Sequence, residues 1–412
     1  MALPSAGRPG ADVIEELRAL QDGDVDWRGG RVFSLAYDAG DEVYEIGREA
    51  ASLYLSANAL NPVAFPSLRK LQSDLVGWVA DLLHGGDEAA GFATAGGTES
   101  ILLSVKAARN RGRERGVTEP QMVLPTTAHA AFTKASQYFG VEAVRVPVGD
   151  DYRADGRAMA AAVSDRTVLV VASAPAYPQG VVDPVADVAA LAADGGFNCH
   201  VDACMGGMTL PFLEELGRPV PQWDFRVPGV TTISVDLHKY GYAPKGIGVI
   251  VHRDRELRRH QTFVTDDWLG GFYASPGILG TRGGGPIAGA WAVMSHLGRE
   301  GYLRLTAVAR EATEELLAGL RATPGVVVLG EPDATHAAFT CTDVDAFALG
   351  EALFARGWFL DQQAPPRSLH ATVHAGHRGV VGDFLTDLRS CLEELRTDGT
   401  GEAEQTPYAS ME

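Results

Sequence analysis

Apolar residues follow two patterns along this chain: helical spacing toward its ends, and short unbroken runs through its middle. Near the N-terminus Val13, Ile14, Leu17 and Leu20 recur at helical spacing, and an acidic, glycine-containing turn follows. A stronger stripe of Leu68, Leu71, Leu75, Trp78, Val79 and Leu82 predicts an amphipathic helix over 66–85, with Pro66 in its first turn and Gly85 at its end. From residue 91 the texture changes. Strands are predicted at QMVLP (121–125), AVRVPV (143–148), TVLVVAS (167–173), NCHVDA (198–203) and TTISVD (231–236), and a further apolar run, IGVIVH, occupies 247–252. Helical stretches such as 183–195 fall between them. Unbroken apolar strands separated by helices predict an α/β fold whose sheet is mostly parallel and covered on both faces. Ligands of such sheets sit beyond the carboxyl ends of the strands. A long helix over 287–322, bending at Gly298 or Gly301, leads into a smaller α+β unit with strands near 325–330, 336–341 and 369–374. The expected division is therefore an N-terminal segment (1–60), a large domain (61–295), a small C-terminal domain (296–395) and a polar, mobile tail (396–412).

Composition narrows the function. Hydrophobic residues make up 46% and charged residues 21% of the 412 positions, as in a soluble globular enzyme. The formal charge of −18 argues against nucleic acid or an anionic membrane as partner, since both demand a basic face. No apolar run approaches the ~18 residues of a membrane span, and MALPSAGRPG lacks the parts of a secretion signal. Four cysteines in so long a chain predict a reducing, cytoplasmic setting. Their spacing offers no metal-ligand pattern, so no metal is expected.

Four places carry candidate chemistry. In AGFATAGGTES a glycine-rich turn opens into a helix. Gly96 and Gly97 permit close approach to a ligand and Thr98 suits the N-cap, so this is either an ordinary capped helix or an anion seat. Asp202 ends a buried strand and needs a partner there, either a structural arginine or N-cap or the protonated ring nitrogen of a cofactor. His129, just after a strand, is a cap or core residue, or an imidazole lying flat on an aromatic ring. In SVDLHKYGYAPKG, Lys239 and Lys245 stand between two apolar strands. A lysine in such a partly buried, cation-rich pocket is expected to have a lowered pKa and to act as an amine nucleophile. A phosphate seat, a carboxylate for a ring nitrogen, an imidazole for the ring face and an imine-forming lysine are together the equipment pyridoxal 5'-phosphate requires.

The segments TAGGTESI, HAAFTKASQYFG, SAPAYPQGVVDPV, HVDACMGG, DLHKYGYAPKG and YASPGILGTRGGG resemble motifs of the sphingosine-1-phosphate lyase branch of the pyridoxal phosphate-dependent group II decarboxylases. The resemblance runs from GDVDWRGGRV (23–32) to WFLDQQAPPRSLHATVH (358–374). It implies the aspartate aminotransferase-like fold (fold type I), with the cofactor in the large domain. It further implies that Lys239 carries the cofactor as an imine, that Asp202 pairs with the pyridine nitrogen and that His129 stacks on the ring. Gly97, Thr98 and His238 would hold the cofactor phosphate, and Ser173 and His200 would line the ring's surroundings. Gly280, Thr281 and the glycines up to Gly284 would cross from a second subunit, making an obligate homodimer with the active site at its interface. Lys245 and Tyr37 would face a small-molecule amine substrate. Two departures bear on that substrate. Asn61, in NALNPVAFP, stands where the family pattern has a histidine expected at the substrate phosphate, and Gln179 replaces the histidine of the FPHG motif. No counterpart of the membrane-anchoring helix of eukaryotic relatives is seen. The implied activity is cleavage of the Cα–Cβ bond of a β-hydroxy amine. The alternatives are α-decarboxylation of an amino acid with the same cofactor, and a scaffold that binds cofactor without turnover.

Overall fold

The computed structural model describes residues 2–398 and 403–406. Three helices, α1 (Gly10–Gln21), α2 (Asp41–Leu53) and α3 (Pro66–Leu82), precede a seven-stranded sheet of β1 (Ala90–Thr94), β2 (Gln121–Pro125), β3 (Glu142–Val146), β4 (Thr167–Ser173), β5 (Asn198–Asp202), β6 (Thr232–Asp236) and β7 (Gly248–His252). Helices α4 (Gly97–Glu114), α5 (Ala131–Phe139), α6 (Gly156–Ala162), α7 (Val185–Gly195) and α8 (Leu210–Glu215) connect the strands. The order is β1-β7-β6-β5-β4-β2-β3, and β3, β2, β4, β5 and β6 run parallel. Every residue of β2, β4, β5, β6 and β7 is buried, as strands covered by helices on both faces must be.

Strand β7 breaks the parallel rule, pairing antiparallel with both β6 and β1. The segment joining Asp236 to Gly248 is too short for a crossover helix, so the chain turns straight back. That turn carries both lysines. Strand β1 escaped the apolar pattern because Phe92 is its sole large side chain. Gly91 is fitted to its place, since a Cβ there would meet the Ile250 carbonyl of β7 at 2.8 Å.

Beyond β7 come α9 (Arg255–Arg259), a two-stranded ribbon of β8 (Phe263–Thr265) and β9 (Tyr273–Ser275), and the long helix α10 (Gly285–Arg321). Of the two expected bending points of α10, Gly298 is the one used, leaving helical geometry at φ 54°. A second sheet follows in the order β10 (Val326–Val328), β11 (His336–Cys341), β13 (Ser368–Thr372) and β12 (Asp361–Gln363), flanked by α11 (Ala346–Ala355) and α12 (Val381–Asp398). Its polar strand β12, DQQ, gave no apolar signal. Phe33, from the N-terminal segment, enters this core, stacked on His377 at 4.3 Å and 4.9 Å from Phe384. The N-terminal segment thus ties the small sheet to the rest of the chain.

Two expectations change. The stripe on α1 is not buried among the described residues: Val13, Ile14, Leu17 and Leu20 are 38%, 48%, 54% and 68% exposed. The expected mobile tail begins too early at 396, since α12 continues to Asp398 and residues 403–406 dock on the small domain through Ala403 N donating to Asp345 (2.9 Å) and Thr406 N donating to Gln362 (2.6 Å). The remainder of that tail, 399–402 and 407–412, lies outside the described residues. Among the described residues no helix is long and apolar enough to cross a membrane.

Candidate active site

The parallel strands end on one side of the sheet, and their last residues stand in register. Ser173 on β4 pairs with Asp202 on β5, and Asp202 pairs with Ser234 of β6, two residues short of Asp236. Beyond these ends lies a cavity of about 530 Å³ bordered by Gly97, His129, Asp202, His238, Lys239 and Lys245. Tyr37, Thr98 and Ser173 also border it. Residues from six separate stretches of the chain thus converge on one space.

At the floor, Asp202 is buried, and its Oδ1 accepts the amide of Cys204 (3.1 Å) and the hydroxyl of Ser234 (3.4 Å). Burial opposes its charge, but His129 and the hydrogen bonds from Cys204 outweigh it and hold the carboxyl below its ordinary value. Burial lowers the pKa of His129 while Asp202 works to raise it, and its Nδ1 accepts the Ala131 amide at 3.1 Å. His200 does not stand where the resemblance implies. It borders no part of the cavity but lies fully buried beneath Asp202, with Nδ1 2.8 Å from Thr232 Oγ1 and Nε2 3.2 Å from Ser234 Oγ. Residues two apart in a strand share a face, so a histidine there supports Asp202 through Ser234 instead of meeting a ligand. Burial pushes it down to about 4, which keeps it neutral.

The anion seat differs in detail from the expected cap. Helix α4 begins at Gly97, one residue before Thr98, with Gly96 at φ 133° as N-cap and no side-chain cap. Thr98 is therefore an exposed first-turn residue on the cavity wall. Glu99 turns away from the seat, accepting the amides of Ala95 (2.6 Å) and Ile278 (2.7 Å). A Cβ on Gly96 would lie 2.8 Å from the His238 ring, and one on Gly97 would lie 2.7 Å from Cys204 Sγ. Only glycine keeps that space open beside the helix start.

Lys239 corrects the lowered pKa expected from sequence. Its Nζ is 2.9 Å from Asp236 Oδ2; burial disfavours the charge, yet Asp236 prevails and the amine holds its proton more tightly than a free lysine. The lowered value belongs to Lys245, pushed down to about 8 by burial and by the charge of Lys239. Lys245 Nζ donates to the His238 carbonyl at 3.1 Å and lies 5.0 Å from the Tyr37 ring centre. Tyr37 in turn meets Tyr240 edge-on at 5.1 Å. Among the wall residues that carried no expectation are Asp236, and Tyr177, whose hydroxyl donates to Asp361 of β12 across the two sheets at 2.5 Å. An acid three positions before the lysine was the available signal for the first.

Gly280 and Thr281 stand outside this cavity. Gly280 borders a separate cleft with Leu60 and Arg282, and Asn58 donates to Thr281 Oγ1 at 3.4 Å. Asn61, also apart from the cavity, turns its Oδ1 back to the amides of Val63 (2.9 Å) and Ala64 (3.3 Å), and Gln179 is buried.

Residues 6–342 match the family model of the pyridoxal-dependent decarboxylase conserved domain. The chain belongs to the pyridoxal-dependent decarboxylase family. Within it, the chain is 39% identical to sphingosine-1-phosphate lyase 1 of Rattus norvegicus over 95% of this chain and 70% of that protein. It is 38% identical to the sphingosine-1-phosphate lyase of Oryza sativa over 96% of this chain and 75% of that one. The solved sphingosine-1-phosphate lyase of Burkholderia pseudomallei superposes with a TM-score of 0.92 at 38% identity, covering 97% of this chain and 94% of its own. A Lactobacillus brevis glutamate decarboxylase, at 21% identity and TM-score 0.84, shares the fold. The chain is accordingly a pyridoxal phosphate-dependent lyase.

The cavity fits that cofactor on its own chemistry. A glycine-cleared helix start suits the phosphate, a buried carboxylate held below its ordinary pKa suits a protonated ring nitrogen, and a lysine borders the same cavity.

Proposed function

We propose that this lyase cleaves the bond between Cα and the hydroxyl-bearing Cβ of a phosphorylated long-chain amino alcohol, releasing an aldehyde and a smaller phosphorylated amine. The observation that carries the reading is the second cation: Lys245, on the same strand-to-strand turn as Lys239, borders the same cavity beside Tyr37. The similarity to sphingosine-1-phosphate lyases along nearly the whole chain supports it.

Pyridoxal phosphate, when bound, supplies an electron sink conjugated to the substrate nitrogen. Around it, Lys239 provides the ε-amine that holds the cofactor's aldehyde carbon, and Asp202 keeps the ring nitrogen protonated. Gly97, Thr98 and His238 take the phosphate, while His129 and Ser173 bound the ring. The proton lost from the substrate hydroxyl is balanced by the one gained at Cα, and charged Lys245, beside Tyr37, pairs with the substrate phosphate. Residues 61–295 carry the cofactor in this reading, and 296–395 close the cavity through the Tyr177–Asp361 link.

Because Lys245 is charged only below about 8, KM for a phosphorylated substrate should rise as pH passes that value, while KM for its phosphate-free analogue stays level. A Lys245→Ala variant should keep the visible cofactor band, and its kcat/KM should drop by about 10²-fold. Wild-type kinetics in that variant would remove Lys245 from the site. Product analysis tests the reaction itself: aldehyde without carbon dioxide is expected from phosphorylated amino alcohols, and carbon dioxide from amino acids without aldehyde would make the enzyme a decarboxylase.

The working unit in this proposal is a homodimer in a reducing, cytoplasmic compartment. Four free cysteines, the exposed stripe of α1, and Leu269 and Phe272 at 107% and 74% exposure support it. Gly280 offers a direct test, because a Cβ there meets nothing within 4 Å in its own chain. Gly280→Val should leave the subunit folded and yet weaken cofactor binding in the neighbouring subunit. Mixing it with Lys239→Ala and reassembling should then restore activity in about a quarter of the sites, as random pairing of a two-fold dimer demands. No regain of activity would separate the 280 loop from the partner's cavity.

A further inference from the structure

Asp236 stands apart from every role assigned so far. It ends β6, three residues before Lys239, and is 3% exposed. Oδ2 lies 2.9 Å from Lys239 Nζ, and Oδ1 is buried without a hydrogen-bond partner. Two glycines make room for this carboxylate. A Cβ on Gly97 would come within 2.9 Å of Oδ2, and one on Gly248, its register partner across β7, within 2.9 Å of Oδ1. An under-satisfied buried carboxylate is costly, and removing its cation would leave a bare charge in the sheet.

Its effect on Lys239 opposes what cofactor loading needs. A protonated amine cannot attack an aldehyde, and Asp236 favours the protonated form. The carboxylate therefore matches the state in which the lysine is detached from the cofactor. The other titratable groups about the pair are His238, whose Nε2 is 3.9 Å from Oδ2, and Cys204, Tyr37, His129 and Lys245.

We infer that Asp236 is the dock for the ε-ammonium of Lys239 while a substrate amine occupies the lysine's place on the cofactor. This rests on the proposed role of Lys239. In the exchange the substrate would enter as an ammonium and shed protons to Nζ, its nitrogen bonding to the cofactor's aldehyde carbon as the bond to Nζ breaks with its electron pair staying on Nζ. Lys239 leaves as an ammonium, so the proton count is unchanged. Asp236 meets the charge released and draws the exchange forward. Asp236 is thus a positioning residue for the leaving lysine, distinct from Asp202 on the neighbouring strand.

Reductive methylation of the full-length chain, freed of cofactor with hydroxylamine and mapped by peptide mass, tests the dock without measuring turnover. In the wild-type chain Lys245 should be modified from about pH 8, whereas Lys239 should resist until the medium is far more alkaline. In Asp236→Asn, methylation of Lys239 at that pH should rise about 10- to 1,000-fold, the range an adjacent opposite charge commands. Asp236→Glu should restore part of the protection. In the holoenzyme, Asp236→Asn should shift the equilibrium with an amine substrate analogue back toward the lysine-linked form, read from the visible spectrum. Lys239 reacting as readily as Lys245 in the wild-type chain would overturn the inference even if the variants fail to fold. So would an unchanged methylation rate in a folded Asp236→Asn. Borohydride reduction of the holoenzyme separates the two readings. Cofactor fixed to a peptide lacking Lys239 would sink the proposed function and with it the dock. Cofactor on Lys239 with no effect of Asp236→Asn would sink the dock alone.

Discussion

Lys239→Ala should abolish the visible band near ~420 nm that a lysine-linked cofactor shows, and should lower kcat/KM by about 10⁴-fold or more, the scale on which losing a covalently acting residue is felt. Lys245 is too far engaged elsewhere to substitute: its amine donates to the His238 carbonyl and lies over the Tyr37 ring. The variant should still fold, though less stably at neutral pH, because removing the ammonium leaves Asp236 buried with neither oxygen paired to a cation. Absorption spectra after dialysis and thermal melts at neutral pH check both halves. A persistent band, or wild-type turnover, would move the cofactor linkage to another lysine.

Asp202→Asn should leave the band in place and lower kcat by about 10³-fold, the scale on which a preorganised electrostatic partner acts. The amide preserves the shape of the carboxyl and can still accept from Cys204 and Ser234 through its oxygen. What it loses is the negative charge, which stands in the wild type because His129 and the Cys204 hydrogen bonds overcome the cost of burial. Without that charge a ring nitrogen in the cavity is no longer held protonated. The split between an intact linkage and failed turnover distinguishes this residue from Lys239. An equal loss of band and activity would mean that Asp202 holds the structure of the site and nothing more. Activity of Asp202→Asn should not recover on acidification, because the missing group is the charge itself.

The residues of the candidate site were legible in sequence to very different degrees. Gly97, His129, Asp202, His238, Lys239 and Lys245 each follow or open an element whose apolar pattern is strong, so their place at the rim of the sheet could be anticipated. His200 shares that pattern and was misplaced, because nothing in a strand's alternation says which depth on a face the ligand reaches. The charge state of Lys239 was misjudged for a related reason. Its neighbours in sequence are His238 and Tyr240, but the atom that governs it is Asp236 Oδ2, brought to 2.9 Å by the sharp exit from β6. Tyr177 met Asp361 only through the packing of two sheets far apart in sequence.

By itself the sequence determined the class of fold, the positions along the chain of most of its buried strands, the glycine pair at the helix start and the cofactor such a set of groups demands. Those features are written in local spacing, where burial of apolar side chains and the freedom of glycine act residue by residue. Tertiary structure alone decided that β7 reverses, that the free amine of Lys239 is the stronger base and Lys245 the weaker, and that His200 supports instead of lines the site. Each of these depends on distances between segments remote in the chain and on how much water reaches a charge.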